Sequence, residues 1–497
     1  MSAPAGLGYQ LHVYRIGWYG GVGGRRLALL SNVGVQRPVP SPTPGTGEVS
    51  AAWPMTDVLP THSSWVSGYY LARIVLADGR APGAIPFVVR QPALAVPSPV
   101  VVQVPVNTWQ AYNAWGGKSL YDFNSAGGRA NRVSFDRPYL WHGPGWQVMT
   151  SWELSLVRFL ERVGVDVSYV TDIDVDRDPG LLLRHRVAVT AGHGEYWTKV
   201  IRDAYDNARA RSTNLLFMGA NTGYWQVRYE NARRTMVGYK HLSDPEPNPA
   251  LKTVRFRELQ PGRPECALLG VQHYEGSYNW PRADFVTNPF PAGSQWFRNT
   301  GLTAGALVRQ VVSREHDMIP PGANNCGLPL QVVFHHAAVN DPLERSESVR
   351  YTFPGSGARV FASGSLEFPW ALDEYRYPEG PGTPRDPRIE QFVRNLLTNA
   401  LRPAPPASVT TTIVSGRTLR ITIGRRGDPR VTRHRVYRRA GGTAPPLTDP
   451  NWRLICQPTS ASCLNTVPAA GVYRFAAVAV DRWGESVAAF SGRRTVP

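Results

Sequence analysis

"AVTAGHGEYWTKV", residues 188–200, decides how this chain is read. An apolar run, under way from "RVAVTAGH" (186–193), stops at Gly192, presents His193 and Glu195, and passes into "TKVIRDAYDNARAR". There Val200, Ile201, Ala204, Tyr205 and Ala208 fall on one helical face. A near-continuous apolar run suits a strand buried on both faces, and a helix directly after it is the unit of a parallel sheet. The question is why an imidazole and a carboxylate stand two residues apart at the strand's tip.

Three more runs of the same kind lie around it: "PVVVQVPVN" (99–107), "VDVSYVTDIDV" (165–175) and "NLLFMGAN" (214–221). Between the first two, "TSWELSLVRFLERVG" reads as a helix opened by a capping box, Thr150 with Glu153. Strand alternating with helix predicts a doubly wound α/β sheet, and such sheets bind ligands outside the carboxyl ends of their strands. The residues delivered to that edge are Asn107 and Tyr112, then Thr171 and Asp172, then His193 and Glu195, then Asn221. A carboxylate before a helix also complements its dipole, for about 0.3–1 kcal/mol, and a lone histidine is often structural. The convergence of four strand ends is what points to a site.

At 497 residues the chain predicts more than one domain. Residues 8–92 hold short β segments such as "YQLHVYRIGWYGG" and "GYYLARIVLADG" between turns, read as a small Ig-like β-sandwich. Residues 99–402 form the α/β catalytic domain, with a loop-rich insertion over about 226–330 and a closing helix capped by Asp386 with Pro387 in its first position. After the stiff linker "LRPAPPAS", residues 407–497 repeat strand and turn as a fibronectin type III-like sandwich does.

The net charge of +17 attracts polyanions in general. Its arginines are scattered, however, with no basic and stacking-aromatic alternation, so no nucleic-acid partner is expected. No run of about twenty apolar residues offers a membrane span. Cys266, Cys326, Cys456 and Cys463 contain no C-x-x-C pair. They read as two disulfides, which places the protein in a secreted or extracytoplasmic setting, with any export signal already removed. No G-x-S-x-G elbow or H-E-x-x-H motif occurs, and consecutive Glu315, His316 and Asp317 cannot share one face.

Five stretches in order, "YRIGWYGGVGGR", "WVSGYYLARI", "NTWQAYNAWGGKSLYDF", "GHGEYWT" and "GANTGYW", resemble signatures of the N,N-dimethylformamidase large (beta) subunit-like family, in its C-terminal catalytic portion. The resemblance covers roughly residues 8–402. It implies a sheet similar to that of class I glutamine amidotransferases and a mononuclear non-haem iron held by two tyrosines and a carboxylate. By motif, the carboxylate falls on Glu195 and one tyrosine on Tyr112; the other falls on Tyr70, with adjoining Tyr69 as the alternative. His193 and Asn221 would serve as proton shuttle and carbonyl-orienting group, while Asn107, Trp197, Tyr224 and Trp225 would line the substrate. Hard oxygen donors suit such a metal. The expected function is iron-dependent hydrolysis of a carbon–nitrogen bond in a small amide.

Two other readings remain. One is a secreted glycan-active or glycan-binding protein, motivated by 15 Trp, with the C-terminal sandwich as a glycan or cell-surface contact. The other is a non-catalytic surface protein on the same fold.

Overall fold

The computed structural model describes residues 2–93, 95–322, 324–337, 345–375 and 384–497. Strands β1 (Gly8–Ile16), β2 (Gly24–Val33), β3 (Gly68–Leu76) and β4 (Gly83–Val89) form one antiparallel sheet in the order β2-β1-β3-β4. Alternation along β3 sends Tyr69 and Leu71 toward the body of the molecule and Tyr70 and Ala72 the other way. That outer face is covered by Leu59 and Trp65 rather than by strands. The Ig-like sandwich expected over residues 8–92 is thus a single sheet with an irregular cover. Residues 34–67 carry six prolines, Pro38, Pro40, Pro42, Pro44, Pro54 and Pro60, which cannot donate to a ladder.

The body is a nine-stranded sheet. In chain order its first part contains β5 (Val100–Val104), α1 (Val106–Tyr112), β6 (Arg132–Ser134), α2 (Pro144–Trp152), α3 (Leu154–Arg162), β7 (Val167–Thr171) and α4 (Asp172–Arg177). Then come β8 (Val187–Gly192), β9 (Tyr196–Thr198), α5 (Lys199–Ala210), β10 (Asn214–Gly219), β11 (Trp225–Glu230) and β12 (Thr235–Val237). The remainder is α6 (Cys266–Leu269), β13 (Gln272–Thr287), β14 (Leu307–Met318), β15 (Gln331–Ala337), β16 (Arg345–Thr352), β17 (Arg359–Ala362) and α7 (Pro387–Ala400). The order is β14-β13-β15-β16-β17-β10-β8-β5-β7, and the last five strands are mutually parallel. All four apolar runs of the sequence lie in this parallel part, with α2, α3 and α7 packed on one face and α4 and α5 on the other.

Local signals hold in part. Asp386 caps α7 with Pro387 in the first turn, and the Thr198 hydroxyl accepts from Ile201 N–H to start α5. The capping box expected at Thr150 and Glu153 is absent: Thr150 lies inside α2, its hydroxyl donating to the Trp146 carbonyl at 3.2 Å. Glu153 sits at the break before α3, where its carboxyl accepts from Tyr69 at 2.5 Å and Trp109 Nε1 at 2.6 Å.

The stretch expected to be a loop-rich insertion is loop-rich over much of its length but also carries strands. It supplies β11 and β12 to a small sheet, β6-β12-β11-β9, and the long hairpin β13–β14 to the antiparallel end of the main one. Register shifts along that hairpin break the two-residue period that would have announced it. The molecule is therefore largely β-sheet.

Beyond residue 407, strands Ser408–Ser415, Thr418–Gly424 and Ser462–Thr466 pack against a second sheet built on Arg433–Ala440 and Gly471–Asp481. Leu419 and Ile421 meet Val436 and Phe475 between them. Cys266 pairs with Cys326, and Cys456 with Cys463. No described helix is long and apolar enough to cross a membrane.

Candidate active site

The carboxyl edge of β8 and β10 is held unusually close. Gly192 has φ +58°, and a side chain there would meet the Trp152 carbonyl at 2.9 Å; one on Gly219 would overlap the Gly192 carbonyl. Glycine at both positions lets the chain turn sharply inward. The turn brings His193 and Glu195 into the interior, 1% and 3% exposed. Thr108 on α1 fixes it by accepting from Glu195 N–H at 3.1 Å.

Phenols gather on that carboxylate. The Tyr121 hydroxyl lies 2.9 and 2.8 Å from the two Glu195 oxygens, and Tyr196 donates to the Tyr121 oxygen at 2.6 Å. Tyr112, at the end of α1, packs its ring 4.3 Å from that of Tyr121 and places its hydroxyl 3.2 Å from His193 Nε2. The same nitrogen is 3.3 Å from Glu195 and 3.1 Å from Glu315 on β14. Asn221, at φ +50°, is held from both sides: its backbone N–H donates to Asp317 at 2.8 Å and its Nδ2 to Glu315 at 2.7 Å. Below the phenols, Lys240 sets its ammonium 3.4 Å from the centre of the Tyr121 ring, a cation–π contact.

The electrostatics follow from burial with too few cations. Burial first, then the Glu195 charge, pushes the phenols of Tyr112, Tyr121 and Tyr196 well above 10. Burial alone would lower His193, but Glu315 and Glu195 outweigh it and raise its pKa to about 10. The partner Glu315 is driven down by the His193 charge against its own burial, so the two form an imidazolium–carboxylate pair. Burial brings Lys240 down to about 7, opposed by Glu195. His193 Nδ1 and Asn221 Oδ1 are buried and have no hydrogen-bond partner among the described residues.

Of the residues expected from sequence, Tyr112, His193, Glu195 and Asn221 meet here. Tyr70 does not. Its hydroxyl donates to the Val66 carbonyl at 2.7 Å and its ring stacks on Trp65, on the face of β3 turned away from the body. Tyr69 faces inward but is taken by Glu153. Asn107 is structural: its side chain bonds the Tyr196 carbonyl at 3.0 Å and the Tyr229 hydroxyl at 2.6 Å. Trp197 lies in the core, its ring stacked 4.5 Å from Tyr205, and Tyr224 packs against Arg257 and His273. Trp225 borders the cluster: its backbone N–H donates to the Glu195 carbonyl at 3.1 Å, and its ring lies 5.3 Å from the Lys240 ammonium.

Sequence reading missed Tyr121, Glu315 and Lys240. Tyr121 stood inside a quoted signature, "SLYDF", and only the eight residues of loop after Tyr112 hid its approach. Glu315 was set aside because three consecutive polar residues cannot share a face; Glu315 and Asp317, two apart, can, and both hold Asn221. Among the described residues no three His, Cys, Asp or Glu side chains form a metal-ligand group. The oxygen donors that converge are mainly phenolic.

A family model described as N,N-dimethylformamidase beta subunit-like, C-terminal, matches residues 10–381. The chain belongs to this family. N,N-dimethylformamidase beta subunits from Paracoccus aminophilus and Alcaligenes sp are 29% and 28% identical to it over 120 residues. Each match covers 22% of this chain and only 16% of the relative. Solved structures similar to part of the chain are fibronectin type III modules. FN3tt is 17% identical, covering 18% of this chain and 89% of that one, at a TM-score of 0.15. An Fn3-like protein from Clostridium thermocellum is 22% identical, covering 17% and 91%, at 0.14.

Proposed function

We propose that the cluster at the carboxyl edge of β8 hydrolyses a carbon–nitrogen amide bond in a small substrate, in a protein working outside the reducing cytosol. The carrying observation is the Tyr121 hydroxyl set across both oxygens of buried Glu195, with the His193–Glu315 pair beside it. Family membership supports amide hydrolysis, and two disulfides fit an oxidising compartment. We also read the five parallel strands as the class I glutamine amidotransferase-like sheet. Renumbered along the chain, their order is 2-1-3-4-5, which places the site beside the strand where the order reverses.

The donor set fits a hard, oxidised iron ion. Phenols this deeply buried beside a carboxylate ionise only if a cation joins them, and oxygen ligands favour a hard one. Tyr112, Tyr121 and Glu195 would hold it, Tyr121 taking the place expected of Tyr70. Bound there, the iron would supply Lewis acidity toward the substrate carbonyl and toward water.

The chain's own groups do the rest. His193 keeps its proton at Nε2 because Glu315 stabilises the imidazolium, and it delivers that proton to the departing amine. Asn221, clamped by Glu315 and Asp317, has Oδ1 left over to orient the substrate N–H or the water. Lys240 supports the Tyr121 ring and offsets the negative charge of the cluster. Trp152, its ring 5.7 Å from that of His193, walls the imidazole off on one side.

The test is amine release from a panel of small amides that includes N,N-dimethylformamide. Hydrolysis that disappears in Glu195→Gln and Tyr121→Phe while both variants stay folded is the expected result; equal turnover in the variants would overturn the assignment.

A further inference from the structure

A second cavity, of about 1160 Å³, opens between the N-terminal sheet and the body. Its walls are the side-chain face of β1 and β3, the glycine loop 20–24, helices α2 and α3, and residues 373–375. It shares no lining residue with the amide site. Three observations define its chemistry.

The first is its aromatic content. Half-buried Trp141 lies with its ring 4.5 Å from that of buried Trp146; Trp18 and Tyr375 complete a set of broad faces around the cleft. The second is that its charges are paired. Arg158 pairs with Asp373 at 2.8 Å, Arg162 with Glu390 at 3.0 Å, and Arg385 with Glu374 at 2.9 Å. Each guanidinium of the lining is thus paired with a carboxylate, Asp373 and Glu374 within the lining and Glu390 on α7 outside it, which leaves planar donors and acceptors and little net field for a polyanion. The third is that almost no sheet edge is offered. The strand side chains in the wall come from β1 and β3, both internal in the order β2-β1-β3-β4, and edge strand β2 reaches it only at its first residue, Gly24, so an extended peptide would find almost no free backbone ladder to join.

We propose that this cleft binds a neutral oligosaccharide. Pyranose rings present an apolar C–H face that stacks on aromatic side chains, and a rim of hydroxyls that pair with guanidinium and carboxylate groups already held in place by one another. The volume exceeds what a single small ligand fills and suits several linked rings. Gly20, Gly21 and Gly23, all at positive φ, let the loop turn tightly beside half-buried Trp18, which lines the cleft. This inference stands apart from the amide reading, because neither the residues nor the chemistry is shared.

The test is calorimetric titration of the full chain with cellohexaose, laminarihexaose, chitohexaose and mannohexaose, with heparin as the polyanion control. At least one neutral hexasaccharide binds, and Trp141→Ala weakens it about ten-fold, the worth of one aromatic stacking partner. Trp18→Ala, on an exposed loop outside the core, gives the same loss and serves if the Trp141 variant fails to fold. Glu195→Gln binds as the native chain does. Silence with all four sugars at millimolar concentration, binding indifferent to both tryptophans, or binding of heparin alone would each overturn the proposal.

Discussion

Strand β8 joins two buried clusters of charge, and their contrast explains which one is chemical. Arg186 precedes the strand and is fully buried, yet it pairs with Asp428 and Asp481 of the C-terminal sandwich, while Arg430 adds a 2.9 Å bond to the same Asp428. His193 follows the strand, and its imidazole pairs with both Glu195 and Glu315, with no arginine ion-paired to either carboxylate among the described residues. At the first end the chain supplies rigid guanidinium partners to both carboxylates, so nothing further is required there. At the second, three phenols and two carboxylates gather around one imidazole and one lysine, with Arg129 and His273 acting on them only through their charge. A folded protein keeps such a shortage where a substrate or cation completes the set.

The largest expected effect lies at the carboxyl end. Glu195→Gln lowers amide hydrolysis by about 10³-fold or more, the scale for losing a central electrostatic group, with thermal stability equal to or above that of the native chain. Steady-state amine release beside a melting curve checks both. At the other end Arg186→Met does the reverse. It leaves buried Asp481 without its guanidinium partner and Asp428 with Arg430 alone, so it costs about 3–5 kcal/mol of stability in urea unfolding, while turnover per folded molecule stays unchanged. Equal losses of activity in the two variants would erase the contrast.

Glu153 sharpens the comparison, because it is a buried carboxyl with donors but no cation. Burial raises its pKa to about 8 from 4.5, despite the bonds from Tyr69 and Trp109. The folded chain therefore holds a proton that the unfolded chain releases. Its contribution is complete below pH 4.5, declines as pH rises toward 8, and is constant above that. The expected slope is about 1 kcal/mol per pH unit, and Glu153→Gln flattens it. Urea unfolding at several pH values between those limits is the check.

The smallest effect concerns the disulfides. Opening Cys456–Cys463, separated by 7 residues, costs about 2 kcal/mol. Opening Cys266–Cys326, separated by 60, costs about 4 kcal/mol. Single Cys→Ala pairs compared by thermal unfolding should preserve that order.

What the sequence revealed follows from how local each cause is. The parallel strands were legible because burial on both faces writes an unbroken apolar run, and His193, Glu195 and Asn221 because they sit within three residues of such runs. Tyr70 and Tyr69 could not be told apart by residue type; strand parity and the position of Glu153 decide them. The β13–β14 hairpin was hidden by its register shifts, and with it the reach of Glu315 across five intervening strands to β8. The single N-terminal sheet was misread because alternating strands announce one buried face without saying what covers it.

One measurement bears most directly on the claim that phenols from α1 and the loop after it meet Glu195 around a cation. Purified protein is analysed for iron and scanned in the visible range, native beside Tyr121→Phe. About one iron per chain, with a phenolate-to-iron band that is lost or shifted in the variant, is expected. A colourless, iron-free protein that still cleaves amides would contradict it.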